Sequence, residues 1–318
     1  MAESGAERQF LRGLFEAAVA AADPSEAVRS NLPSRPKGRA VVVGAGKAVV
    51  PMLTALEEAW DGPLSGAVVT THASLAEDSG VEILRASHPR PDEHGLAASA
   101  RLMALVSGLS EDDLVISLIS GGGSSLLPAP PRAFSLEDEF TLGSTLLRSG
   151  APISAMNVVR KHFSTIKGGR LAAATKARVH TLVASDIPGD IAHLVASGPT
   201  LPDEAGREEA LEAIASYNIG LPLHILDWIK DARSAAPHPS DPVFDGNSSA
   251  IIASASLSLE AAAATARRDG VHAEVLSDAI EGEASRVGSD HAALTRRHAE
   301  AKAGSGAPRV LLSGGETT

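Results

Sequence analysis

The chain reads as an α/β protein with two domains and mostly parallel, doubly wound sheets, and three features predict this. Short apolar runs recur along the 318 residues, each closing on turn residues. The runs are apolar throughout and not at every second position, as in strands buried on both faces. Helical stretches separate them, and strand–helix alternation is what a parallel sheet covered on both faces requires.

The elements follow in order. The opening "MAESGAERQFLRGLFEAAVAAAD" carries Glu7, Arg8, Arg12 and Glu16 among its apolar residues. That predicts an amphipathic helix and not a signal peptide, which needs an uninterrupted apolar stretch. "RAVVVGAG" (39–46) predicts a strand leading into a helix over 49–60. "GAVVTT" (66–71) is a second strand, and Asp92 caps a helix over 93–107. "LVISLIS" (114–120) is a third strand. Helices over 136–147 and 155–166 come next, the latter stopping at Gly168 and Gly169. "VHTLVAS" (179–185) precedes a helix over 204–217.

"DARSAAPHPSDPVFDGN" (231–247) is rich in Pro, Ser and Asp and breaks the periodicity. It predicts a boundary between a first domain over 1–235 and a second over 236–318. "AIIASA" (250–255), a helix over 256–268, "VHAEVL" (271–276), a helix over 282–303 and "RVLLSGG" (309–315) build the second. The sequence then stops at "VLLSGGETT", straight after a strand with no helix to follow, so the second domain is expected to be truncated.

Composition narrows the function classes. A net charge of −11 argues against a nucleic-acid binder, which needs a basic surface. No run approaches the ~18 apolar residues of a membrane span. The chain has no cysteine, which removes thiol nucleophiles and Cys–zinc sites and fits a cytoplasmic location. Charge is unevenly placed: residues 140–185 hold no Asp or Glu in 46 positions but seven cations, leaving −18 on the remainder. A local cation excess on an acidic protein concentrates a small anion.

Four motifs could carry chemistry. In "VVVGAGKAVVPML" (41–53), Gly44 and Gly46 follow a strand and open a helix, where backbone N–H groups can face an anion. The dinucleotide fingerprint fails, because Val49 replaces its third glycine and Thr70, Thr71 and His72 stand where a ribose-binding acid belongs. The Walker A loop fails too, since Ala48 follows Lys47. "SGGGSSLL" (120–127) ends a strand in three glycines. Ser120, Gly121, Gly122 and Gly123 allow close backbone approach and positive φ, a nest for anionic oxygens, with Ser124 and Ser125 as hydroxyl donors. In "NVVRKHFSTIKGGRLAAATK" (157–176), Asn157, Arg160, Lys161, Ser164 and Lys167 recur at helical spacing and predict one polar, cationic face. In "ASDIPGDIAHLVASGPT" (184–200), Asp186 closes the acid-free run at a strand end, a position suited to Mg²⁺ or a general base. Asp190 could share that role or cap the next helix.

Together, "GAGKA" (44–48), "SHPRPDEHG" (87–95), "LISGGGSSLLPAPP" (118–131), "MNVVRKHFSTIKGGRLA" (156–172), "SDIPGD" (185–190), "ASGPT" (196–200) and "SGGETT" (313–318) resemble the class II glycerate 2-kinase family. Some of its members are labelled hydroxypyruvate reductase. The resemblance implies two Rossmann-like α/β domains and an enzyme that uses ATP and Mg²⁺ to phosphorylate D-glycerate at its 2-hydroxyl. It implies Lys47 as the catalytic lysine, places Glu316 of "SGGETT" among the substrate-binding residues, and implies about a hundred further residues in other members. Asp186 and Asp190 are the candidate metal ligands. A nicotinamide-dependent hydroxypyruvate reductase and an anion-binding remnant without turnover are the alternatives, and a homodimer is left open.

Overall fold

The computed structural model describes residues 2–71, 79–301 and 308–317; His72 lies outside them, and Glu316 is described by its backbone alone. The first elements are α1 (Ala2–Ala21), α2 (Pro24–Ser30), β1 (Ala40–Ala45), α3 (Val49–Ala59), β2 (Leu64–Thr70), β3 (Val81–Arg85) and α4 (Glu93–Ser107). Next come β4 (Leu114–Ser120), α5 (Gly123–Leu126), α6 (Leu136–Arg148), α7 (Ile153–Lys161), α8 (Arg170–Ala173) and β5 (Arg178–Ala184). The remainder are α9 (Arg207–Ser216), α10 (Leu223–Lys230), β6 (Ser248–Ala253), α11 (Ala255–Arg268), β7 (His272–Gly282), α12 (Ala284–Ala301) and β8 (Arg309–Thr317).

These elements form two compact units, one of Ser25–Ala184 with Ala192–Ile251, the other of Met1–Pro24, Ser185–Ile191 and Ile252–Thr318. The division predicted at 231–247 differs from this: that stretch lies inside the larger unit, and α1 groups with the last elements of the chain. Composition could mark a loop there but could not show which elements the loop joins.

In the larger unit six strands lie in the order β3-β2-β1-β4-β5-β6. The pairings β1–β2, β1–β4, β2–β3 and β4–β5 are all parallel. Every residue of β1 and β4 is buried, as the unbroken apolar runs require. β3 carries no clear strand signal in the sequence because it is an edge strand in which Glu82 and Arg85 interrupt the apolar run. A second core gathers α6, α7, α9 and α10 around Phe163, whose ring meets Phe134 edge-on at 4.7 Å.

A buried carboxylate pins the start of β4. Asp113 accepts from the Arg39 amide at 2.7 Å, the Ser110 amide at 2.8 Å and the Arg39 guanidinium Nη2 at 3.2 Å. The Arg39 guanidinium first, then those amides, hold its carboxyl well below the usual carboxylate range. The folded pKa is depressed, so this stabilisation is complete above the unfolded value of ~3.9 and fades as pH falls below it. Asp113→Asn is expected to cost about 1–3 kcal/mol in urea denaturation at pH 7. The gap from wild type should narrow below about pH 4; a pH-independent gap would contradict the assignment.

In the smaller unit β7 and β8 pair in parallel from His272↔Arg309 to Gly282↔Thr317. Leu14 of α1 packs with Ala262 and Ala266 of α11 and Val310 of β8. Among the described residues no helix is long and apolar enough to cross a membrane.

Candidate active site

The strand order reverses direction between β1 and β4, and in open α/β sheets ligands bind outside the carboxyl ends of the strands at such a point. The turns leaving these two strands are tied together. The Lys47 amide donates to Gly121 O at 2.9 Å, and the Ala48 amide to Ser120 Oγ at 3.0 Å. Gly122 takes φ +82° and ψ −11°, a left-handed conformation that only glycine adopts without strain, and α5 begins at the next residue. Lys47 is exposed and stands over this turn: a β-carbon on Gly122 would lie 3.2 Å from Lys47 Cε and 3.1 Å from His88 Cδ2.

Beside the turn is a cavity of about 320 Å³. Gly122, Ser124 and Ser125 line it from the glycine-rich turn, and Arg90, Arg160 and Lys167 bring positive charge. Phe140, Leu147 and Phe163 supply apolar wall, and Arg90 lies over the Phe140 ring at 4.2 Å. Glu139 also lines the cavity, with Oε1 2.5 Å from Lys167 Nζ and Oε2 accepting from the Ala129 amide at 2.9 Å. Three cations against one carboxylate leave the wall net positive. Burial draws the Arg160 guanidinium below its usual range, and the Glu139 charge opposes that shift. A guanidinium stays protonated through such a change.

Several predicted residues are engaged elsewhere. Gly44 sits within the β1 ladder, where a β-carbon would meet Leu118 O at 2.3 Å, so its lack of a side chain serves strand packing. Gly46 donates its amide to Val69 O at 3.0 Å, and a β-carbon there would meet Ser120 Oγ at 2.0 Å. Neither is free to hold an anion. Ser120 is 2% exposed and spends its hydroxyl oxygen on the Ala48 amide.

The cationic face of 157–167 also divides. α7 stops at Lys161, because the Ser164 hydroxyl accepts from the amides of Ile166 and Lys167 and offers the backbone a turn in place of helix. Lys167 therefore reaches the cavity from a turn. Lys161 is 2% exposed and pairs with Asp203, Nζ to Oδ1 2.6 Å. Asn157 is buried, donating from Nδ2 to Leu194 O at 3.1 Å and accepting from the Ser197 hydroxyl at 2.9 Å. Neither Ser197 nor Glu139 is marked individually by the sequence. Ser197 stands at φ +59°, a strained position for a residue with a β-carbon, and no local sequence signal marks it.

In the smaller unit Asp186 is exposed, and Asp190 adopts φ +53° with Oδ2 accepting the Ser256 hydroxyl. Asp190 thus does not cap the next helix. Among the described residues no three His, Asp or Glu side chains cluster into a metal cage. Mg²⁺ needs no such cage, since one or two carboxylates plus substrate phosphates suffice, so the acidic 186–190 pair fits it in chemistry.

A family described as a domain of unknown function, DUF4147, matches residues 10–230. The chain is 46% identical over 316 residues to an Agrobacterium vitis protein provisionally named hydroxypyruvate reductase, covering 98% of this chain and 70% of that one. It is 33% identical to the D-glycerate 2-kinase of Thermotoga maritima, covering 96% of this chain and 72% of that enzyme. The chain belongs to the glycerate kinase family. The crystal structure of a glycerate kinase from Thermotoga maritima superposes with a TM-score of 0.83 at 31% identity, over 99% of this chain and 75% of that one. The α/β architecture described above is therefore that of a glycerate kinase family member.

Proposed function

We propose that this protein is a glycerate 2-kinase, an ATP-dependent enzyme that moves the γ-phosphoryl of ATP to the 2-hydroxyl of D-glycerate. One observation carries the reading: the bare turn at Gly122 and the cations Arg160 and Lys167 line a single cavity beside Lys47. Phosphoryl transfer asks little covalent chemistry of a protein. It asks for two anions held in line and for neutralisation of charge as the phosphoryl group moves.

The parts divide accordingly. Arg160 and Lys167 hold a carboxylate or phosphate in the cavity, with the Gly122 turn admitting it close to the backbone. Lys47 stabilises charge on the transferring group. The bond from the γ-phosphorus to the bridging oxygen of ADP breaks, the bond to the glycerate oxygen forms, and the hydroxyl proton is released. Asp186, with Asp190 in support, would hold Mg²⁺, which when bound withdraws charge from the phosphate oxygens. A cytoplasmic location goes with these substrates.

The reductase name of the Agrobacterium relative invites a second reading, but Val49 counts against it. That residue is fully buried where a dinucleotide fold wants its third glycine for close helix–strand packing. The deciding experiment incubates purified protein with ATP, Mg²⁺ and D-glycerate and identifies the phosphorylated carbon by NMR. 2-Phosphoglycerate is the expected product. NADH oxidation with hydroxypyruvate and no phosphorylated product would favour the reductase.

A further inference from the structure

The hydroxyl groups of the glycine-rich turn carry a directional message. Asn157 lies between a group that only accepts, Leu194 O, and a group that only donates, the Arg160 guanidinium with Nη1 3.4 Å from Oδ1. Both neighbours fix its amide the same way, with Nδ2 toward Leu194 and Oδ1 toward Arg160 and Ser197. Ser197 has one hydroxyl proton and gives it to Asn157 Oδ1 at 2.9 Å. Its contact with Ser124 Oγ, also 2.9 Å, must then be an acceptance, so the Ser124 proton points at Ser197. Ser197 and Asn157 are each 4% exposed, so bulk solvent does not compete for these bonds. Ser125 likewise spends its proton, on Gly122 O at 3.2 Å. The two serines expected as donors to an anion thus face the cavity with lone pairs.

An oxygen whose proton is committed elsewhere repels phosphate and attracts an O–H. We propose that Ser124 is a specificity-determining residue that accepts a hydrogen bond from a hydroxyl of the acid substrate, with Ser197 and Asn157 as the positioning residues that aim it. Anionic oxygens go to Arg160 and Lys167, and the alcohol goes to Ser124. The choice of glycerate as the acid rests on the kinase reading above; the direction of the relay does not. The strain at Ser197 fits this role, since an unfavourable backbone conformation persists where the surroundings over-determine it.

The test is calorimetric titration of wild type, Ser124→Ala, Ser197→Ala and Asn157→Leu with four ligands. These are D-glycerate, D-lactate (no 3-hydroxyl), 3-hydroxypropionate (no 2-hydroxyl) and inorganic phosphate. Wild type should bind D-glycerate about tenfold or more tightly than at least one of the deoxy acids, and Ser124→Ala should erase that difference. Ser197→Ala and Asn157→Leu free the Ser124 proton, so D-glycerate should weaken several-fold while phosphate tightens several-fold. A merely structural lesion would weaken both. The relay is refuted if Ser124→Ala keeps the discrimination, or if phosphate and glycerate move together or not at all in Ser197→Ala. Should wild type bind none of the three acids, the glycerate reading fails, and the phosphate titrations still decide the relay.

Discussion

Lys47→Ala is expected to lower kcat by about 10²–10³-fold, ~2.7–4 kcal/mol of transition-state stabilisation, while leaving the fold intact. The effect is large because the side chain is a single positive charge beside the turn where phosphate is proposed to bind. The fold is spared because Lys47 is exposed and its structural tie, to Gly121 O, is made by the amide that alanine also has. Steady-state kinetics with ATP and D-glycerate measure it. A KM that rises with kcat unchanged would assign Lys47 to ground-state binding, and near-wild-type turnover would remove it from the mechanism.

Gly122→Val is expected to eliminate ligand binding, with affinity for ATP and D-glycerate falling by more than about 100-fold, a loss of ~2.7 kcal/mol or more. Two effects act together. A β-branched residue at φ +82° is strained by ~1–3 kcal/mol. Its β-carbon would also come within 3.1 Å of the His88 ring and 3.2 Å of Lys47 Cε, with the γ-methyls further forward. Circular dichroism should stay native while calorimetry shows no binding; retained affinity would mean that the turn does not face the ligand.

Much of the sheet is legible in the sequence because burial on both faces writes itself as an uninterrupted apolar run. β1, β4 and β5 lie within a residue or two of their expected places for that reason. β3 does not, since an edge strand tolerates Glu82 and Arg85 and loses the signal. α10 (LHILDWIK) is not legible in the sequence, because eight residues give too few turns for a periodic pattern to stand out. The site divides along a similar line. Glycines at a strand end announce a close approach, but not what approaches: Gly122 opens on the cavity, whereas Gly44 and Gly46 admit a neighbouring strand. Helical spacing grouped Arg160, Lys161 and Lys167, yet a serine three residues before Lys167 redirected the backbone, and Asp203, far along the chain, claimed Lys161. Partners chosen across forty residues, as Ser197 chooses Asn157, leave no trace in local pattern.

The grouping of α1 with residues 252–317 bears on how the chain reaches its native state during synthesis. α1 leaves the ribosome well before its partners, since those of Leu14 on α11 and β8 emerge some 250 residues later, at ~5–20 residues per second. The six-stranded sheet can therefore assemble while α1 still waits with its apolar stripe uncovered. For those seconds the nascent chain carries apolar surface that only its own later residues will cover.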